Sequence, residues 1–576
     1  MLRLRLRPCI GLAAAIVAGV VTAVLPVAAP PATARPARPA GRYVVRASSP
    51  ADLVALRSQL RASGAVVDDD LGPVQGLVVE LSGAAADVLA GNAGVATLAR
   101  SGLRMLSRPE GPAVPIGPGL HRRSLGAADP ASSRSGLMWN LDRIGAARAN
   151  TVTRGRGVTV AVVDTGLDPT HRELQGRLAG QVDLSDPAVC RDAYGETDAD
   201  LAARYGGPVT GDWNGHGTWM AGTIAANLDG VGVNGIAPEV QLLDLKISQW
   251  CGAAADDAIL GALVYAADHG VDVVSIAFGG YLDRTDPEQD ALYRTYADVV
   301  AYARSKGTLV VASAGNEHVR LGAGGRVLSH GQLAAPGEVL DDLFGRYSVP
   351  GGVTGVMTVA ATNNVVAAPA RGCRAAVGDL DAVCKPSTDR HQPSGVGRTD
   401  QLAYYSNYGP RIDIAAPGGA RKFNVPAADG GGTWGFPWTR ADGFAAFGAF
   451  SITSNWAAFD IPCFTHVGVG YPDQCYTTIQ GTSMAAPHVA AVAALIVATN
   501  RSLRGRPAAV AEVLVANAAS ATNTTPALSA TDTSPGDRTG VACPSGYCHL
   551  GGRAIADAEA YGAGVVDAAR AVAAAR

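Results

Sequence analysis

The sequence predicts an α/β protein with a mostly parallel central sheet, and three observations predict it. Gly157 to Val163 is almost wholly apolar, as a strand covered on both faces must be. Val271 to Ile276 and Thr308 to Ala312 are two further strands of this kind. Each follows a stretch that reads as helix, Cys251 to His269 and Leu292 to Ser305 respectively. Polar residues then follow two of the strands, Asp164 after the first and Asn316 after the third. Ligands of open α/β sheets sit beyond the carboxyl ends of the strands, so both residues fall on the edge where chemistry is expected.

The chain divides into four parts. Residues 1–34 read as an export signal: Arg3, Arg5 and Arg7, an apolar run from Ile10 to Val27, then Ala32-Thr33-Ala34 as a cleavage site. The run is also about long enough to span a bilayer, which leaves an anchor as the competing reading. Residues 41–106 form a small α+β unit. It has strands at Tyr43 to Arg46, Leu77 to Leu81 and Val95 to Leu98, with helices at Ala51 to Ser63 and Ala84 to Ala90. Residues 107–136 are rich in Pro, Gly, Arg and Ser and read as an exposed linker, with Arg122-Arg123 and Arg134-Ser135 as cut points. Residues 137–576 make the main domain, with insertions at about 320–400 and 418–474 that read equally as rims of a cleft and as plain surface loops. No other apolar run approaches a membrane span, so the mature chain is expected to be soluble and free of membrane.

A net charge of −3 gives no electrostatic case for nucleic acid or an anionic membrane as partner. Cys9 would leave with the signal. The other eight cysteines are Cys190, Cys251, Cys373, Cys384, Cys463, Cys475, Cys543 and Cys548. An even number in an exported chain reads as disulfides. Three pairs are close in sequence, Cys373 with Cys384, Cys463 with Cys475 and Cys543 with Cys548, which would leave Cys190 with Cys251. No CxxC pair supports zinc.

Three distant segments carry a possible nucleophilic machine: Val162-Val163-Asp164-Thr165-Gly166, His216-Gly217-Thr218 and Gly481-Thr482-Ser483-Met484-Ala485. A serine hydroxyl needs an adjacent base, and the base needs a third group to fix its tautomer. Ser483 is the expected nucleophile. Met484 to Ala498 reads as a helix, so Ser483 sits at a helix N-terminus, where N–H groups favour developing negative charge. Pro487 is placed in that helix's first turn. His216, bracketed by glycines before a helix from Met220 to Ala226, is the expected base. Asp164 is the expected orienter and Asn316 the expected oxyanion donor. His171, His318 and His488 read as packing or hydrogen-bonding residues, and Asp168 as a turn residue.

These segments, with Ser313-Ala314-Gly315-Asn316-Glu317, Tyr405-Ser406-Asn407-Tyr408-Gly409-Pro410 and the block Gly481 to Ala490, resemble the subtilisin-like serine proteases, the subtilases. Trp219 stands where many members carry a second His, and Ala277 where many carry Ser. The resemblance implies a three-layer subtilisin-like fold preceded by a ferredoxin-like pro-domain at 41–106 that inhibits the enzyme until cut; an unrelated small domain is the competing reading. It implies a monomer acting on protein or peptide substrates. Ala277, Phe278 and Gly279 would form one edge of the substrate cleft, Phe278 as a hydrophobic wall, with Ser313, Ala314 and Gly315 as the other edge. It implies no cofactor for catalysis, and a structural calcium in the loop Asn227 to Val233 with Asp229 and Glu173, weighed against a metal-free turn.

The reading is a secreted serine endopeptidase. One rival is a catalytically silent peptide-binding module on the same fold. The other is an α/β-hydrolase esterase, which would need G-x-S-x-G, and Ala485 stands at its last glycine.

Overall fold

The computed structural model describes residues 38–68, 71–106, 122–124, 138–330, 342–363, 400–403, 405–419, 449–457, 463–466, 473–523, 525, 527 and 554–576. The expected signal, most of the linker and insertions, and Cys373, Cys384, Cys543 and Cys548 lie outside them. Within them Cys190 is bonded to Cys251 and Cys463 to Cys475.

The first unit is an antiparallel sheet of β1 (Gly41–Ala47), β2 (Val67–Asp68), β3 (Gly76–Leu81) and β4 (Val95–Arg100) in the order β2-β3-β1-β4. Helices α1 (Pro50–Ala62) and α2 (Gly83–Ala90) cover one face. Ser49 starts α1 by accepting from the Asp52 N–H, with Pro50 at the first helical position, where its missing N–H costs nothing. Leu53, Leu56 and Leu60 are the buried residues of α1, the stripe its spacing predicts. A fifth strand, β5 (Leu103–Met105), leaves this unit for the main domain.

The main sheet has seven strands, all parallel: β6 (Thr159–Asp164), β7 (Leu178–Asp183), β8 (Gln241–Lys246), β10 (Val273–Ile276), β11 (Leu309–Ser313), β12 (Met357–Thr362) and β13 (Ile414–Pro417). Their order is β13-β12-β11-β10-β6-β8-β7. A short strand, β9 (Ala253–Ala255), stands apart from this sheet and pairs with β5. Alternate residues of β6 enter different cores. Val160 and Val162 join the cluster around helices α3 (His216–Ala225) and α6 (Thr482–Thr499), while Ala161 and Val163 join the cluster around α4 (Asp256–Asp268) and α5 (Pro287–Ser305). The result is the three-layer α/β architecture expected. The far face of the first unit, through Val44, Val78 and Ala99, packs into the α4–α5 cluster.

Five expectations change. Cys251 to His269 is not helical throughout: Ala253–Ala255 is a strand because β5 supplies a partner, which overrides the helix preference of an alanine run. Helix α3 begins at His216, not Met220. Helix α6 begins at Thr482, so Pro487 is its sixth residue, beyond the first turn, and the Ser483 carbonyl receives no N–H from it. Arg122–Ser124, expected in an open linker, is a strand whose backbone pairs with Cys463–His466. Finally, α6 is long and apolar enough to cross a membrane, against the expectation of no such run after the N-terminus. Its residues from Thr482 to Val497 are all buried in the α3–α6 core, which accounts for their apolarity.

Candidate active site

Asp164 ends β6 at the carboxyl edge of the sheet. Its Oδ1 accepts from the Thr165 N–H at 2.8 Å and lies 2.8 Å from His216 Nδ1. Asp164 is fully buried and His216 is 6% exposed. The carboxylate therefore fixes the ring with Nε2 facing outward, the tautomer a general base requires.

The histidine is positioned by Asp212. That carboxylate accepts from the N–H groups of Asn214 (3.1 Å), Gly215 (2.7 Å) and Thr218 (2.9 Å), and from the hydroxyls of Thr165 (2.9 Å) and Thr218 (2.7 Å). Gly217 is required by closeness: a Cβ there would stand 2.2 Å from the Gly166 carbonyl oxygen.

Ser483 is the second residue of α6 and is 3% exposed. Its own N–H belongs to the unpaired first turn. Thr482 ties this helix to Asn316: the Asn316 carbonyl oxygen accepts from the Thr482 N–H and hydroxyl, both at 2.8 Å. An amide nitrogen donates and does not accept, so the oxygen is the atom facing Thr482 and the Asn316 amide nitrogen lies on the opposite side; a Cβ built on Gly481 would be 3.6 Å from it. Helices α3 and α6 share one core and bring His216 and Ser483 to the same sheet edge. Among the described residues no hydrogen bond joins the Ser483 hydroxyl to the His216 ring; such bonds are often long in an unliganded site and tighten when substrate docks.

Ala277, Gly279, Ser313, Ala314 and Gly315 line one cavity together with Asn316, Thr482 and Met105. Phe278 does not line it. Its side chain is buried in the α4–α5 core with Leu106. Asp168 makes the expected turn, accepting from the N–H and hydroxyl of Thr170.

Of the residues expected to hold calcium, Glu173 is fully buried and Asp229 lies in the loop Asn227 to Val233. Glu173 Oε1 accepts from the Val233 N–H (3.1 Å) and the Tyr476 hydroxyl (2.9 Å), and Asp229 accepts from Val231 N–H within its own turn. Among the described residues no group of three or more His, Cys, Asp or Glu is placed to hold a metal.

Two buried histidines set an acid limit. His488 Nδ1–H donates to the Met484 carbonyl, so Nε2 accepts from the Asn140 amide (2.9 Å). His171 Nε2–H donates to the Cys475 carbonyl, and its Nδ1 accepts from the Glu173 N–H. Both rings are satisfied as neutral imidazoles, and burial pushes each from 6.5 down to about 4. A histidine lowered on folding is protonated first in the unfolded chain. The stability it contributes is complete above pH 6.5 and is lost as pH falls through about 4. Thermal unfolding should therefore show Tm dropping across that window, with a shallower drop for His488→Gln. A Tm that stays level there would contradict this.

Sequence reasoning missed Asp212, Thr482, Lys246 and the edge Ala253–Ala255. Asp212 was detectable: an Asp placed before Asn214-Gly215 is turn chemistry, four residues ahead of the histidine. The others depend on pairing between distant segments.

Fold and site together define a serine-type endopeptidase hydrolase. Residues 155–540 match the subtilase family (Peptidase_S8), and the chain belongs to that family. It is 25% identical to thermitase of Thermoactinomyces vulgaris over 377 residues, covering 65% of this chain and 88% of thermitase. It is 37% identical to an intracellular serine protease of Paenibacillus polymyxa over 166 residues, 29% of this chain and less than half (43%) of that protein's length. The fold is similar to that of the epidermin leader peptide processing serine protease from Staphylococcus aureus, with a TM-score of 0.57 at 17% identity, covering 93% of this chain and 99% of that one.

Proposed function

We propose that this chain is a secreted endopeptidase that hydrolyses peptide bonds through an acyl-enzyme on Ser483. His216 Nε2 takes the Ser483 proton as the hydroxyl attacks the scissile carbonyl. Asp164 stabilises the imidazolium that forms. The Asn316 amide and the Ser483 N–H hold the tetrahedral oxygen. The imidazolium then gives its proton to the leaving amine, and water repeats the sequence to release the acid. The observation that carries this reading is the 2.8 Å contact between Asp164 and His216, at the sheet edge where α6 presents Ser483. Fluorophosphonate should label Ser483 in the mature enzyme; a folded, processed protein that takes no label would support the silent module instead.

Residues 41–106 act as an inhibitory pro-domain in this reading. In support, β5 lies antiparallel to β9, and the Leu106 N–H donates to the Gly252 carbonyl at 2.8 Å, so the strand runs along the cleft. Arg42 pairs with Asp257 on α4 and Arg46 with Asp298 on α5. Export is supported by the N-terminal pattern and by the two disulfides, which persist in oxidising compartments.

Asn316→Asp keeps the oxygen that anchors Thr482 but removes the donor. It should lower kcat by roughly 100- to 1000-fold with KM little changed. A kcat near wild type in steady-state peptide assays would remove Asn316 from the oxyanion role.

A further inference from the structure

We propose that Asp256 and Tyr296 form a guanidinium-binding subsite, and that the mature enzyme selects substrates carrying arginine two residues before an apolar residue at the cleft. The inference rests on the endopeptidase reading and adds a substrate class to it.

The observation is what β5 puts into the main domain. Arg104 is centred in the strand pair, opposite Ala254. Its side chain is nine-tenths buried. Nε donates to Asp256 Oδ1 at 2.6 Å and Nη2 to Asp256 Oδ2 at 2.7 Å, the bidentate fork that matches a planar guanidinium to a carboxylate. The Tyr296 hydroxyl donates to Asp256 Oδ1 at 2.6 Å, which fixes the carboxylate. Room for the arginine stem is supplied by Gly280, where a Cβ would stand 2.8 Å from Arg104 Cδ. Asp256 opens α4, where the helix dipole favours its negative charge. Burial alone would lower the Arg104 pKa, but Asp256 overrides it and the net shift is upward.

Asp256, Tyr296 and Gly280 all belong to the main domain, so the receptor remains when residues 41–106 depart. Departure strips Asp256 of the Arg104 fork and of the Gly102 N–H at 2.9 Å. The carboxylate then keeps the Tyr296 hydroxyl but loses three donated hydrogen bonds, which an incoming arginine restores in part. Leu106 sets the register. Its N–H is bound by the Gly252 carbonyl, and a Cβ on Gly252 would meet both Leu106 and the Asn214 amide, two residues from His216. A substrate strand in the same register places its arginine at Asp256 and directs the residues after its apolar side chain toward His216.

The test uses mature enzyme released from the full chain, and internally quenched peptides of the chain's own sequence 99–112. Arg104→Ala in the peptide should lower kcat/KM on the order of 100-fold, since a site built to hydrogen-bond a group rejects the analogue lacking it. Arg104→Lys should recover part of the loss, because an ammonium lacks the fork. Peptides that are not cut are compared as inhibitors of a protein substrate. In Asp256→Asn enzyme the ratio between Arg and Ala peptides should collapse toward one. If that variant fails to fold, the peptide series on unmutated enzyme decides alone. Equal values for Arg and Ala peptides overturn the subsite, as does a ratio that survives Asp256→Asn. An enzyme that neither cuts any peptide nor takes fluorophosphonate overturns the endopeptidase reading instead.

Discussion

Replacing Ser483 by alanine should lower kcat on the order of a million-fold while leaving the chain folded. The hydroxyl is nearly buried and makes no hydrogen bond among the described residues, so its loss strands no partner. Alanine also favours the helix in which it would sit. The Cys190–Cys251 and Cys463–Cys475 bonds should therefore form as before. With no nucleophile, residues 41–106 should remain covalently joined to the main domain. Intact mass of the expressed variant reads the second outcome, and hydrolysis of a quenched peptide reads the first. A variant that matures when expressed alone would end the proposal of self-processing. One that still cuts peptides would show that another group attacks.

Lys246→Met should destabilise the main domain by roughly 3–5 kcal/mol, the cost of leaving buried charge unpaired. Lys246 ends β8 beside Asp164 and is 2% exposed. Its Nζ donates to the carbonyls of Thr165 (2.5 Å) and Gly211 (3.3 Å) and pairs with Asp198 at 2.9 Å. Burial works against its charge, but Asp198 and Asp212 outweigh it and the pKa is raised. One ammonium thus ties together the loop after Asp164, the loop before His216 and a buried carboxylate. Methionine fills the space and removes the charge. Adding Asp198→Asn, which keeps an acceptor for the Trp250 N–H at 2.8 Å, should recover about 1–3 kcal/mol of the loss. Denaturant unfolding of the two single variants and the double measures this. A Lys246→Met variant as stable as wild type would refute it.

The parts legible in the sequence were those fixed by local pattern. The continuous apolar run at β6 announced a strand covered on both sides, and its end announced Asp164, because period and burial are written in consecutive residues. The leucine spacing of α1 carried the same kind of information. The illegible parts depend on partners far along the chain. Ala253–Ala255 resembles a helix start until β5, about 150 residues earlier, pairs with it. Lys246 looks like a surface residue at a strand end until three loops close over it. Phe278 invites a pocket role by its neighbours, but its side chain lies in the core while Ala277 and Gly279 face the cavity.

The position of α6 in the chain has a consequence for how the molecule is made. Synthesis runs from the N-terminus, and domains gather as they emerge. The layer of α4, α5 and the small N-terminal unit can assemble once residue 356 has left the ribosome, since every side chain in that cluster lies upstream. The opposite face of the sheet is completed by residues 482–499, and until then Val273 and Val311 lack the helix that covers them. Such late, long-range closure slows folding. The same delay keeps Ser483 away from His216 until α6 has formed.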